Sequence, residues 1–246
     1  GRAEALARVR ELLAAGRLVT VTGPGGVGKT SVALAVAWSV ADSYPDGVRL
    51  VDLTTWDGRG DPADPVLSVL PVPESPGGSQ PAGERLATAL RGRRTLLVLD
   101  NCEHVAEPVA DLVGGLLAAA PGLRVLATGR EPLRVRGEAR FDLPPLDVPD
   151  TDDPARLADS AAVRLFLSRA GVSASDAATV AGAAEVCRRL DGLPLALELA
   201  ATRVAGLGIP ELVARLSLPH DRFGLLATGP RDAPARQRTL AAVIDW

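Results

Sequence analysis

Residues 23–30 read Gly-Pro-Gly-Gly-Val-Gly-Lys-Thr, and this octapeptide constrains the fold more than any other feature of the chain. It fits G-x-x-x-x-G-K-[ST], with a short β-branched run at 18–22 before it and a small-residue helical stretch at 31–41 after it. A strand, a glycine-rich turn and a helix in that order aim consecutive backbone N–H groups inward and add the positive end of the helix. Such a loop cradles phosphate. Gly23, Gly25, Gly26, Val27 and Gly28 supply the backbone of the expected cradle, and Lys29, Thr30 and Ser31 complete the set. Lys29 is expected to neutralise the β- and γ-phosphates and Thr30 to ligate Mg²⁺. The expected ligand is a purine nucleotide, ATP or ADP. The plain alternative is a glycine-rich turn that holds nothing.

Lysine usage sharpens the reading. Of 27 basic residues all but one are arginine, and the one lysine is Lys29. Arginine's planar fork is wide, whereas an ammonium on a slim stem slides between phosphates inside a tight loop. The rest of the composition bounds the class. A 47% hydrophobic, 23% charged chain of 246 residues can fold as one large or two modest domains. A net charge of -3 gives no overall positive field, so no direct nucleic-acid contact is expected from this segment. Two cysteines and two histidines do not suggest a disulfide framework or a His-rich metal site. No leader pattern and no run of about 18 apolar residues is seen, which reads as a cytoplasmic protein without membrane contact. Methionine is absent and residue 1 is glycine, so the expectation is a segment of a longer chain.

Periodicity gives the organisation. Leu6, Val9, Leu12 and Leu13 space a helix over 2–15, capped by Gly16. Strands are expected at 18–22, 48–53, 95–99, 124–128 and 139–143, with helices at 31–41, 84–90 and 104–119. Residues 57–83, rich in proline and glycine, read as an irregular connection with at most one helical turn. Apolar strands alternating with helices predict an α/β, three-layer P-loop NTPase fold around a parallel five-stranded sheet, over 1–150. Beyond a Pro- and Asp-rich shift at 146–154, only helices follow, at 160–170, 176–190, 194–204 and 210–216. They predict a small all-helical domain over 151–231.

Phosphoryl chemistry needs a carboxylate for the metal, and Asp100 ends the apolar run Thr-Leu-Leu-Val-Leu at what should be a neighbouring strand. Alone, a strand-terminal Asp reads as a turn or cap. The loop upstream makes it the metal ligand beside Thr30. Asn101 cannot act as a base. Glu103 could activate water, or could cap the helix after it; His104 could help start that helix or act in the chemistry. Arg130, ending the run Thr-Gly-Arg, would face the γ-phosphate and report whether it is present, or be a solvated arginine before a loop. The catalytic candidates are thus Lys29, Asp100, Glu103 and Arg130.

With these residues in view, the chain resembles an NB-ARC module of the STAND class of P-loop ATPases, in particular those of the Streptomyces antibiotic regulatory protein and LuxR-type transcriptional regulators. The likeness spans nearly the whole chain in ordered blocks: 23–30, LLVLDNCEH at 96–104, LATGREPLRVRG at 126–137, LPPL at 143–146, CRRLDGLPLALELA at 187–200 and RQRTLAAVIDW at 236–246. The resemblance implies that Pro194 packs against the adenine, that Arg130 is a sensor arginine, and that 151–231 corresponds to the helical domain. It further implies that 232–246 opens a winged-helix domain. The family's Met-His-Asp motif has no counterpart in this chain. Asn101 stands where plant and animal members usually carry a second acid, which suggests slow turnover.

The function expected on these grounds is a nucleotide-controlled switch with slow ATP hydrolysis inside a larger regulator. Its partners would be the winged-helix, DNA-binding and sensor domains of the same polypeptide, with homo-oligomer formation on activation. A fast remodelling ATPase and a small-molecule kinase are the alternatives.

Overall fold

The structure is a computed structural model that describes residues 2–71 and 80–218. The block at 236–246 and the expected domain opening at 232 lie outside these residues. The chain divides into two compact units: one joins Arg2–Gly23 to Lys29–Leu143, and the other joins Pro24–Gly28 to the residues from Pro144 onward.

The first unit holds the sheet. β1 (Leu18–Thr22), β2 (Val48–Asp52), β3 (Leu96–Asp100), β4 (Arg124–Gly129) and β5 (Glu138–Asp142) form one sheet in the order β2-β3-β4-β1-β5. Every pairing is parallel. The three central strands are apolar and almost wholly buried, as a sheet covered on both faces requires. The edge strands β2 and β5 carry charge and are only partly buried. Helices α1 (Ala3–Ala15), α2 (Lys29–Ser39), α3 (Asp64–Leu67), α4 (Ala82–Leu90) and α5 (Ala106–Ala119) complete this unit. Val9 and Leu13 of α1 and Val109, Val113 and Leu116 of α5 fill the core at helical spacing. Within the proline-rich connection that leads to α4, the one-turn helix α3 is the helix seen among the described residues.

The second unit has its own core. Helices α6 (Pro154–Asp159), α7 (Ala161–Ala170), α8 (Ala177–Arg189) and α9 (Pro194–Leu216) bury Phe166, Val180, Cys187, Leu197 and Leu212 together. Helix α6 falls where the sequence suggests only a linker. Asp153 caps it by accepting the Ala155 N–H at 3.0 Å, and Pro154 fills its first position. The two helices expected at 194–204 and 210–216 run on as α9, broken at Gly208, whose φ is 74°. That left-handed glycine lets Pro210 begin a new turn without clashing with the preceding one.

Strand order corrects one expectation. β3 is not adjacent to β1; β4 lies between them. Asp100 is therefore two strands from the glycine-rich loop, and a side chain of β4 stands in the gap.

Candidate nucleotide-binding site

The loop after β1 turns on glycine. Gly28 has φ of 97°, and a Cβ built there would meet nothing within 4 Å. The left-handed backbone selects glycine at this position, not crowding. Gly23 and Gly26 also have positive φ, Val27 is fully buried, and the Val27 N–H reaches the Pro24 carbonyl at 3.4 Å.

Lys29 opens α2 and is buried, with 8% of its surface exposed. Its Nζ donates to the Gly23 carbonyl at 3.0 Å, which folds the lysine back along the loop. Burial lowers its pKa from the ordinary lysine value; Glu103 and Asp100 pull it back up, and the Arg130 charge pushes it further down. Those influences place the four candidate groups in one electrostatic neighbourhood. Thr30 and the exposed Ser31 follow on the first turn of the same helix.

Asp100 is 4% exposed and heavily bonded. Thr30 Oγ1 donates to its two carboxylate oxygens at 2.8 and 2.9 Å. Thr128 Oγ1, from β4, donates to Oδ1, and Asn101 Nδ2 donates to Oδ2 at 2.8 Å. The Asn101 backbone N–H in turn donates to Thr128 Oγ1 at 3.0 Å. Thr128 is 1% exposed, and it bridges the end of β3 to β4. No sequence motif marks it as more than the end of a strand; the available signal is one hydroxyl in an otherwise apolar buried run. Asn101 also acquires a role. Its φ of 63° is left-handed, and from that turn its amide supplies a donor that a second acid could not.

A divalent cation fits this arrangement. A threonine whose O–H points at a carboxylate keeps its lone pairs free for a metal, and hard cations prefer such oxygen donors. Thr30 and Asp100 would hold Mg²⁺.

Glu103 and Arg130 face one another. Arg130 Nε lies 3.9 Å from Glu103 Oε1, with the side chains 32% and 15% exposed. Glu103 Oε2 is buried and accepts no hydrogen bond among the described residues. Glu103 makes no capping bond to α5, whose N-cap is Val105. His104 Nε2 lies 3.0 Å from the Trp56 carbonyl; since a carbonyl only accepts, that nitrogen carries the proton. The contact ties the turn at Cys102–His104 to the segment after β2.

In the second unit, Pro194 takes the first turn of α9 and the Leu195 N–H donates to the Gly26 carbonyl at 3.2 Å. Gly192 has φ of 62°, and a Cβ there would collide with the Leu146 carbonyl. The Leu146 N–H donates to the Gly192 carbonyl at 2.9 Å.

A parallel five-stranded sheet, a glycine-rich loop after its first strand and helices around it make this a P-loop NTPase fold. The crystal structure of Cdc6p from Pyrobaculum aerophilum shares the fold, with a TM-score of 0.53 over 83% of this chain and 62% of that one at 17% identity. No family model matches the chain. The chain is 41% identical, in an alignment of 245 positions that covers 97% of its length, to "Putative HTH-type transcriptional regulator Rv0890c" of Mycobacterium tuberculosis. It is 34% identical, in an alignment of 218 positions that covers 85% of its length, to the regulatory protein AfsR of Streptomyces griseus. It spans only 26% and 21% of those two relatives. The chain is thus a homologue of one segment of larger bacterial regulators, the class to which the ordered sequence blocks point.

Proposed function

We propose that this chain is an ATP- and ADP-binding switch, the regulatory module of a larger transcriptional regulator. The observation that carries the reading is the cluster of Lys29, Thr30 and Asp100 at the carboxyl ends of β1 and β3. A buried lysine beside a hydroxyl and a carboxylate bonded to each other is costly to assemble without a ligand to share. Bound Mg²⁺ would neutralise phosphate charge and orient its oxygens.

The residues divide the work. The loop from Gly23 to Gly28 offers backbone donors, with Gly25, Gly26 and Val27 in the turn, and Ser31 extends the helix start. Lys29 exchanges its bond to the Gly23 carbonyl for phosphate oxygens. Arg130 leaves Glu103 for the γ-phosphate, which only ATP carries, so the pair distinguishes the two nucleotides. Glu103, once released, would orient the attacking water. Pro194 shares its compact unit with the turn Pro24–Gly28 and is assigned to the adenine face. The proposed module spans a nucleotide-binding domain at 1–150, a helical domain at 151–231 and the opening of a winged-helix domain at 232–246, and resides in the cytoplasm. Its partners are the winged-helix, DNA-binding and sensor domains of the same polypeptide, and it forms homo-oligomers on activation. Among the described residues no helix is long and apolar enough to cross a membrane.

Mass analysis of nucleotide released by denaturing the freshly purified chain tests the reading. ADP or ATP near one per chain supports it. No nucleotide, together with no binding of added ADP or ATP, overturns it.

A further inference from the structure

The candidate phosphate site occupies the carboxyl ends of β1, β3 and β4. Their amino ends meet a separate cavity of about 430 Å³, walled in part by Arg10, Arg17, Arg94 and Arg124. Arg17 immediately precedes β1, Arg124 opens β4, and Arg94 lies two residues before β3. The parallel register therefore brings three guanidinium groups to one end of the sheet, and α1 adds Arg10.

Part of this cluster has a plain structural role. Arg124 Nη1 donates to the carbonyls of Leu13 at 2.7 Å, Ala14 at 3.4 Å and Gly16, which closes the carboxyl end of α1. Arg17 Nη1 donates to the Leu117 carbonyl at 2.7 Å. These bonds occupy one nitrogen of each fork. Arg94 Nη2 makes a single long bond, 3.3 Å, to the Ser43 carbonyl. The Arg10 side chain makes none among the described residues.

Charge balance sets the cavity apart. No carboxylate lines it, and none of the four arginines forms an ion pair among the described residues. The Asp46 carboxylate is taken by the backbone N–H of Arg94, at 2.8 Å. The remaining wall is largely apolar, with Leu13, Val40, Pro121 and the buried ring of Tyr44. Burial raises the Tyr44 phenol pKa, while Arg124 and Arg94 pull it back down, a sign of the positive field in the cavity.

We propose that this cavity is a second ligand site, for a small phosphorylated organic molecule. Planar guanidinium forks match the oxygens of a phosphate two at a time, and the apolar wall takes the organic body. A cavity of this size lies within the usual range for small-molecule sites, about 300–1,000 Å³. Helix α2 begins at Lys29 and ends beside Val40, a cavity wall, so one helix of roughly 16 Å joins the phosphate loop to this site. This site stands whatever the glycine-rich loop binds.

Phenyl phosphate, titrated calorimetrically into the wild-type chain, is the probe. Saturable binding is expected, weakened at least tenfold by Arg10→Gln with Arg94→Gln and retained at this site in Lys29→Ala. Arg10→Gln alone should weaken it measurably, and its melting temperature should match wild type, since that side chain holds nothing in place. No saturation at millimolar probe would overturn the proposal. So would binding lost with Lys29→Ala but kept in the arginine variants, because the probe would then sit in the glycine-rich loop. Equal binding of benzoate would overturn the assignment to phosphate.

Discussion

Arg130 and Glu103 form an ion pair 3.9 Å long beside the buried ammonium of Lys29. Each is thereby held by the other, and in the proposed switch Arg130 turns from Glu103 to the γ-phosphate. Arg130→Ala should leave ADP affinity within about threefold of wild type. It should reduce Mg·ATP affinity by roughly 10- to 100-fold, the value of a charged hydrogen bond of about 1.5–3 kcal/mol. Calorimetry with both nucleotides measures the difference, and equal losses for the two would remove Arg130 from the discrimination.

Hydrolysis should be slow. Asn101 donates its amide to Asp100, and Glu103 is paired with Arg130 in the unliganded chain. Turnover should fall well below the roughly 1–100 s⁻¹ of kinases. A general base contributes about 10²- to 10⁴-fold, so Glu103→Gln should reduce single-turnover phosphate release by that order. Wild-type turnover of several per second that is insensitive to Glu103→Gln would show that another residue positions the water.

Thr128→Val should separate positioning from binding. The substitution keeps shape but leaves the Asn101 N–H without its partner and takes from Asp100 Oδ1 one of its two donors, Thr30 being the other, at a cost of about 1–3 kcal/mol in unfolding free energy. It should weaken Mg-dependent ATP binding while ADP binding without metal stays near wild type. Denaturant unfolding and calorimetry with and without Mg²⁺ check the two parts. Loss of metal-free ADP binding to the same degree would make Thr128 a general prop for the fold.

How much of this is legible in the sequence follows from what is local. β1 lies at 18–22 as expected, because a β-branched run between turn signals leaves little freedom. The glycine-rich loop is legible for the same reason. Strand order is not. That β4 separates β1 from β3 is a nonlocal fact, and with it goes the role of Thr128, whose partner lies 28 residues away. Helix α6 escapes notice although Asp153-Pro154 is a start signal, because the surrounding proline and aspartate read as a linker. The pairing of Glu103 with Arg130 carries no spacing rule that a single chain reveals.

Lys29 predicts a pH dependence of the unliganded chain. Its folded pKa lies below the unfolded value of about 10.5. Between those two values the native state has released the proton and the unfolded state still holds it, so stability rises with pH across that window. Below the folded pKa, burial of the charged amine costs stability in full. The stability of wild type relative to Lys29→Met should therefore increase from neutral pH toward 10.5, as read by denaturant unfolding at both ends. A difference that is flat or falling with pH would contradict the buried, destabilised ammonium.

The most direct test of the central claim is calorimetric titration of the wild-type and Lys29→Ala chains with ADP and with Mg·ATP. One saturable site is expected for each nucleotide in wild type. In Lys29→Ala affinity should fall by at least about 10- to 100-fold, from loss of a charged contact of about 1.5–3 kcal/mol, while the melting profile stays cooperative. Unchanged affinity in a folded Lys29→Ala chain, or no binding to wild type at millimolar nucleotide, would contradict it.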